Sequence, residues 1–212
     1  MDLVTLVIEI QVITVSGALA PGPLTFAAFS NGIKDGLKAG LKTALGHMLI
    51  EFPLVMLLGA GISVFLTNKI VQLILYILGA LFLFYFGILQ FKVREIEFGS
   101  SDSSRYFGPL ISGITFTLFN PYFIIWWLTI GGVIILNTIL LLGYFGLPLI
   151  YVTHVWMDYA WLGFIAYLAS IGRRRFGWRM IKYVNVVLGV IMMYFGVTFI
   201  LESINIIRTL QL

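Results

Sequence analysis

Long apolar runs are the feature that most constrains the fold of this chain. Six of them are long enough for a membrane-spanning helix, which needs about 20 residues. They cover roughly residues 3–30, 40–66, 69–91, 107–136, 141–170 and 180–201. Of the 212 residues, 60% are hydrophobic and only 10% are charged, an apolar excess that a soluble core of this size cannot bury. We therefore predict an all-α polytopic membrane protein with six transmembrane helices in one domain, residues 1–212.

The basic residues predict how this protein lies in the membrane. Of the 13 lysine and arginine residues, 11 fall in three loops on one side of the six predicted helices. By the positive-inside rule, these loops lie in the cytoplasm, and both termini lie outside a cell (cytoplasmic) membrane. Basic residues confined to short loops do not indicate a nucleic-acid surface. The 11 residues are Lys34, Lys38, Lys42, Lys92, Arg94, Arg105, Arg173, Arg174, Arg175, Arg179 and Lys182.

Several functions are disfavoured by residues that the chain lacks. It has no cysteine, which excludes disulfides, thiolate metal sites and thiol redox relays. It has no His-Glu-x-x-His run and no convincing pair of a serine and a base, so we do not expect an enzyme. No basic segment precedes the first apolar run, and we predict that this run stays as a membrane anchor. No cofactor is expected.

The two halves of the sequence share a pattern of polar and helix-breaking residues. The first predicted helix is interrupted by "APGP" and the fourth by "NP". The second carries "GHMLIE" and the fifth "THVWMD", each a histidine followed four residues later by an acid. Because three helices are an odd number, the second half must be inverted in the membrane, as in many transporters. We predict two inverted three-helix repeats, 1–91 and 107–212, joined by a cytoplasmic loop at 92–106.

The two helix breaks predict a substrate site. Proline inside a helix removes a hydrogen bond, and in lipid this is tolerated where the freed groups find partners or line a cavity. A half-helix that restarts after the break presents free N–H groups suited to a carboxylate. Asn120 can cap the half-helix that begins at Pro121, and aromatic residues beginning with Tyr122 follow it. The predicted substrate-binding residues are Pro21, Gly22, Pro23, Leu24, Thr25, Asn120, Pro121 and Tyr122.

The two histidine–acid pairs predict a proton-coupling site. Residues four apart share one helix face, so His47 can reach Glu51 and His154 can reach Asp158. Ionisable groups inside a membrane are costly and mark functional sites by default. A histidine paired with a carboxylate titrates as a unit near neutral pH. The same four residues also suit a divalent-metal site, which stays open as an alternative.

Parts of the sequence resemble a known transporter family. The run "SGALAPGPLTFAAFSNGIKDGLKAGLKTALGHMLIE" is similar to the first half of the lysine exporter (LysE/RhtB-type) superfamily. "FNPYFIIWW" and "THVWMDYAWLGFIAYLAS" followed by "GRRR" resemble its fourth and fifth helices, and the similarity covers about residues 10–200. The resemblance implies export of amino acids or related small solutes, coupled to protons. By motif it points to Pro21, Gly22, Pro23, Glu51, Asn120, Pro121 and Asp158.

The chain departs from the pattern of that superfamily at three positions. Tyr122 stands where many members have a lysine, Glu51 where many have an aspartate, and His47 where many have a small residue. These departures concern the substrate rather than the fold. The resemblance also leaves the divalent-metal alternative open, since the superfamily includes carriers of heavy-metal cations. The expected partners are an amino-acid substrate, protons and the lipid bilayer, and a homo-oligomer is compatible with the pattern.

Overall fold

The computed structural model of the protein consists of α-helices and describes residues 2–19, 22–61, 68–91 and 108–210. No strand occurs in those residues, which confirms the all-α prediction for this part of the chain. The helices are α1 (Leu3–Ala18), α2 (Pro23–Asp35), α3 (Leu37–Gly59), α4 (Lys69–Phe91), α5 (Pro109–Leu118), α6 (Pro121–Leu128), α7 (Ile130–Leu142) and α8 (Gly146–Leu210).

Several of these helices have the length and composition of membrane spans. Within the described ranges, three stretches are long and apolar enough to cross a bilayer: Leu37–Gly59, Pro121–Leu142 and Gly189–Leu210. Many large apolar side chains face outward, among them Leu140 at 76% exposure and Val152 at 65%. Exposing such side chains to water is energetically unfavourable, whereas contact with the hydrocarbon of a bilayer is not. The arrangement of six spans as inverted repeats remains a prediction.

Both predicted helix breaks are present. The first helix ends at Ala18, and α2 begins with Pro23 at its first position after Gly22 in an extended conformation. The predicted site residue Pro21 lies outside the described residues. The second break separates α5 from α6, where the Asn120 side chain accepts a hydrogen bond of 3.2 Å from the Tyr122 amide. Asn120 therefore caps α6 as predicted, with Pro121 at the first helical position.

Other boundaries differ from the predicted ones. The loop expected between the first two spans is reduced to Gly36, whose φ of 56° lies in the left-handed region that favours glycine. The predicted end of the fourth helix at residue 136 is also wrong, because α7 continues to Leu142. This helix ends before Gly143, which has a φ of 68°. A further break at Thr129, between α6 and α7, was not predicted.

The longest helix contains a reversal of the chain. Helical backbone continues from Gly146 to Leu210, so the predicted loop at 171–179 is helical in its local conformation. A straight helix would separate Leu162 from Phe195 by about 50 Å at 1.5 Å per residue. Both residues nevertheless line one small cavity. The stretch therefore turns back on itself between them.

Close contacts between helix backbones hold the central helices together. A Cβ atom added at Gly46 of α3 would collide with the Leu110 carbonyl oxygen of α5. One added at Gly113 of α5 would collide in turn with the Thr43 carbonyl oxygen of α3. Glycine at these positions lets two backbones approach closely, as in many membrane helix pairs. The contact lies one residue from His47 and therefore fixes α3 where the ionisable groups are.

Gly46→Ala is expected to destabilise the protein by about 1–3 kcal/mol, the usual cost of overpacking. The added methyl group would meet backbone, which cannot rotate out of the way. Gly172→Ala is the matched control, since its Cβ would meet nothing within 4 Å. Thermal unfolding of the purified variants in detergent measures the difference. Equal midpoints for the two variants would contradict this account of the packing.

Candidate functional site

The two histidine–acid pairs meet at the centre of the helix bundle. His47 and Glu51 lie one turn apart on α3, and His154 and Asp158 lie one turn apart on α8. All four side chains are buried, with exposures between 2% and 6%. The predicted pairs are in contact, at 3.1 Å between His47 Nε2 and Glu51 Oε1 and 3.5 Å between His154 Nε2 and Asp158 Oδ2. The four groups thus form one cluster between two helices.

Glu51 is the centre of this cluster. Its Oε1 atom lies 3.1 Å from His47 Nε2 and 3.3 Å from His154 Nε2, and it accepts a hydrogen bond of 3.0 Å from Trp127 Nε1. The Tyr151 hydroxyl donates to Oε2 at 2.8 Å. Hydrogen bonds to the charged form stabilise a buried carboxylate. Both oxygens of Glu51 are therefore already occupied by the protein's own groups.

Each histidine is also held by a threonine from the other half of the chain. His47 Nδ1 lies 2.9 Å from Thr117 Oγ1 on α5, and His154 Nδ1 lies 2.8 Å from Thr14 Oγ1 on α1. The two contacts are reciprocal, because each half supplies a histidine to the threonine of the other half. A second contact at the far ring nitrogen fixes the orientation of an imidazole. Both rings thus point Nε2 at Glu51 Oε1.

Asp158 differs from Glu51 in having no hydrogen bond to Oδ2. His154 Nε2 lies 3.5 Å from this oxygen. This is close enough for electrostatic attraction but too long for a hydrogen bond of ordinary geometry. The two carboxylates of the cluster therefore differ, because both oxygens of Glu51 accept a hydrogen bond and one oxygen of Asp158 accepts none.

A cavity of about 330 Å³ opens beside this cluster. The volume is at the lower end of the usual range for small-molecule sites, about 300–1,000 Å³. The first helix break, the aromatic residues after the second break, and Leu162 and Phe195 of α8 also line it. The predicted site residues that line it are Gly22, Pro23, Leu24, Thr25, His47, Glu51, Asn120, Tyr122, His154 and Asp158.

One predicted site residue is not brought to the cavity. Pro121 is buried and begins α6, but it faces a different, much smaller pocket beside Tyr76. The contribution of Pro121 is therefore to start the half-helix, while its neighbours Asn120 and Tyr122 line the cavity.

The sequence interpretation missed several residues that touch the cluster. Tyr151 precedes His154 by three residues and Asp158 by seven, a helical spacing that could have identified it. Trp127 and Thr117 contact α3 from other helices, 76 and 70 residues away in the chain, and no local pattern predicts such contacts. Thr14 is likewise 140 residues from His154.

The same cluster has the donor atoms of a metal site. One ligand atom each from His47, Glu51 and Asp158 lies within 4.8 Å of the others. Imidazole nitrogen and carboxylate oxygen are ligands that zinc and similar ions accept. Against this, Glu51 already accepts from Trp127 and Tyr151, and an ion would compete with these hydrogen bonds.

Comparison with known proteins identifies the family. The model of the LysE type translocator family matches residues 15–203, which is most of the chain. The chain belongs to the LysE type translocator family. The resemblance seen in the sequence is confirmed, and this translocator is a membrane transport protein and not an enzyme.

A curated relative of this translocator carries a more specific name. "Putative amino acid efflux protein YcgF" of Bacillus subtilis (strain 168) is 34% identical over 120 residues. The aligned region is 55% of this chain and 57% of the relative, so the chain matches little more than half of that relative's length. No solved structure matches the translocator.

Proposed function

We propose that this translocator exports amino acids or related small solutes across the cell membrane in exchange for protons. The observation that carries the proposal is a single cavity lined by both helix breaks and by all four buried ionisable groups. A substrate in this cavity would be in contact with the groups that hold protons. Binding of substrate and binding of protons are then coupled through the same side chains.

The helix breaks supply groups for the carboxylate of an amino acid. The residues that begin α2, Gly22 to Thr25, line the cavity, and Gly22 provides no side chain to cap the helix. First-turn amides have no intrahelical acceptor, and the helix dipole favours an anion there. Asn120 adds a polar side chain from the second break. These groups support the proposed substrate-binding role of the break residues.

The hydrogen bonds of His47 support a proton-coupling role. Thr117 donates its hydroxyl proton to the Gly113 carbonyl oxygen at 2.7 Å, so Thr117 Oγ1 accepts from His47 Nδ1. With a proton on Nδ1, the 3.1 Å contact between His47 Nε2 and Glu51 requires a second proton on one of the two groups. Loss of that proton would set two lone pairs against each other. Proton release from this pair therefore favours a rearrangement of α3 relative to its neighbours.

The reciprocal histidine–threonine contacts support transport by alternating access between inverted repeats. Residues 1–91 and 107–212 each contribute one broken helix, one histidine–acid pair and one threonine to the centre. A site shared equally by two repeats can open to either side when one repeat rocks against the other. The loop assigned to 92–106 lies outside the described residues.

The proposed topology predicts which residues can be reached from each side. The chain has no native cysteine, so single cysteines can be introduced without background. Phe145, 96% exposed at the turn between α7 and α8, is expected outside, and the exposed Lys38 in the cytoplasm. A membrane-impermeant maleimide should label Phe145→Cys in intact cells and Lys38→Cys only after permeabilisation. The reverse pattern would contradict the proposed orientation.

A reconstitution experiment tests the proposed function. Purified protein in liposomes would be given an inwardly acidic or alkaline pH gradient and pools of labelled amino acids. We expect at least one pool to move against its concentration gradient when protons flow the opposite way, and subdividing that pool identifies the substrate. No gradient-dependent movement of any amino acid would contradict the proposal.

A divalent cation is the second candidate substrate, favoured by the ligand atoms of His47, Glu51 and Asp158. The same liposomes, loaded with a metal-sensitive dye, would be offered zinc and other divalent ions. Flux of metal that disappears in the double variant His47→Gln, His154→Gln would favour a cation carrier. Amino-acid flux without metal flux would exclude it.

A further inference from the structure

We infer that the substrates are neutral amino acids with large apolar side chains, clamped between Asp158 and Trp126. The inference rests on the proposed function and specifies its substrate class. It assigns the ammonium group to Asp158, the carboxylate to Trp126 and the α2 N-terminus, and the side chain to an aromatic wall. Four observations support it, and each concerns the cavity already described.

The first observation is a pair of unsatisfied polar atoms at the cavity. In the part of the chain that the structure describes, three buried side-chain nitrogen or oxygen atoms have no hydrogen-bond partner: Trp126 Nε1, Asp158 Oδ2 and Trp161 Nε1. Trp126 and Asp158 line the cavity, whereas Trp161 does not belong to its lining. Buried polar atoms without partners are rare in folded proteins and call for an explanation such as a ligand. One is a donor and the other an acceptor, as a zwitterion requires.

The second observation is that both oxygens of Glu51 already accept hydrogen bonds from the protein, whereas Asp158 Oδ2 accepts none. Two histidines and Trp127 approach its Oε1 atom within 3.3 Å, and Tyr151 donates to Oε2. Asp158 is the other acidic residue of the lining, and its Oδ2 has no hydrogen-bond partner. Since Asp158 is 6% exposed, that oxygen is shielded from competing solvent. An incoming ammonium group would therefore bind Asp158.

The third observation is the separation of the donor from the acceptor. The Trp126 and His154 rings have centroids 6.2 Å apart, and His154 Nε2 lies 3.5 Å from Asp158 Oδ2. The indole and the carboxylate are therefore both neighbours of the His154 ring. An α-amino acid carries its ammonium and carboxylate groups on one carbon atom, so one molecule can contact two polar groups that lie near each other. Leu24, in the first turn of α2 and in the lining, offers its backbone amide as an additional donor for the carboxylate.

The fourth observation concerns the side chain of the substrate. The described lining contains no lysine or arginine to pair with an acidic side chain, and no third carboxylate for a basic one. A charge on the side chain of the substrate would thus be buried without a partner, which is strongly unfavourable. Apart from Thr25 and Asn120, the remaining wall is mostly apolar. Its Tyr122 and Phe195 rings pack edge to face with centroids 6.2 Å apart. Other members of this wall are Leu24, Phe123 and Leu162.

Binding to the purified protein tests the inference with ligands that lack one group at a time. Phenylalanine would be compared with 2-phenylethylamine, which has no carboxylate, and with 3-phenylpropionate, which has no ammonium. Loss of a hydrogen bond to a charged group weakens binding by about tenfold or more. We expect Trp126→Phe to weaken the binding of phenylalanine about tenfold more than the binding of phenylethylamine. Asp158→Asn should weaken the binding of phenylalanine about tenfold more than the binding of phenylpropionate.

Matched controls separate these effects from general damage to the fold. Trp161→Phe removes a buried, unbonded indole N–H outside the cavity, and Glu202→Gln removes an exposed carboxylate. Both should leave the affinity ratios of the three ligands unchanged. Equal weakening of all three ligands by Trp126→Phe would overturn the clamp, because a merely structural role does not distinguish the ligands.

A comparison of amino acids tests the substrate class separately. Leucine and phenylalanine should bind at least about tenfold more tightly than lysine, glutamate or glycine. Tighter binding of lysine or glutamate would overturn this inference while leaving amino-acid export in place. If no amino acid binds and none moves in liposomes, both the inference and the proposed function are wrong.

Discussion

Replacing Glu51 with glutamine is expected to abolish amino-acid transport driven by a pH gradient while leaving the protein folded. The glutamine oxygen can still accept from Trp127 and face both histidines, and its amide can donate to the Tyr151 hydroxyl. The variant therefore keeps its hydrogen bonds with Trp127 and Tyr151 but loses the negative charge that holds a proton beside His47. We expect a decrease in the gradient-driven rate of at least about a hundredfold, the upper range for a charged hydrogen bond.

The control for this variant is Glu202→Gln, which removes an exposed carboxylate outside the cavity lining. Its transport rate should equal that of the unmodified protein. Thermal unfolding of both variants verifies that they are folded. Full gradient-driven transport by Glu51→Gln would eliminate the assigned role of this residue.

The second large effect is expected from Thr117→Val. The change removes the acceptor of His47 Nδ1 and leaves a buried N–H without a partner. Such a loss costs about 1–3 kcal/mol, or roughly a tenfold to hundredfold change in an equilibrium constant. The protonated His47–Glu51 pair is the form that this bond stabilises. Transport should therefore decrease strongly at neutral pH and recover in part at lower pH, where protons are more available.

Thr138→Val is a close control for this substitution. Thr138 is fully buried and donates to the Ile134 carbonyl oxygen at 2.7 Å, the same distance and spacing as the bond from Thr117 to Gly113. It contacts neither histidine. Its pH profile should therefore match that of the unmodified protein. An identical shift in both variants would show that the effect is structural, and would contradict the role of Thr117 in orienting His47.

Features of the site that repeat along one helix could be predicted from the sequence. The spacing of His47 and Glu51, and of His154 and Asp158, placed each pair on one face, and both pairs are in contact. The cap at Asn120 was likewise predictable, because an Asx residue before proline is a local signal. Local geometry determines these features, so tertiary structure was not needed to find them.

Features that depend on packing between distant helices could not be predicted. The bonds from Trp127 and Tyr151 to Glu51 join residues 76 and 100 positions apart. The same holds for the reciprocal contacts of the histidines with Thr14 and Thr117. The bonds from Trp127 and Tyr151 also explain why Glu51 and Asp158, which are equivalent in the sequence pattern, differ in the structure. Only one of the two carboxylates is surrounded by donors.

The helix boundaries could also be predicted only in part from the sequence. Residues 137–142 are apolar apart from Asn137 and Thr138, and both polar side chains have partners inside the bundle. Polar residues that looked like a loop therefore continue α7 to Leu142. Conversely, the reversal within α8 occurs without a break in its helical assignment. Polarity alone is a weak guide where helices satisfy buried side chains.

Proton movement caused by the substrate is the most direct test of the central claim. Liposomes containing the purified protein and a pH-sensitive dye would be loaded with a transported amino acid and diluted into buffer that lacks it. If the amino acid leaves in exchange for protons through this cavity, the lumen acidifies, and Glu51→Gln abolishes the change. Efflux of the amino acid with no change in lumenal pH, or with alkalinisation, would contradict proton-coupled export.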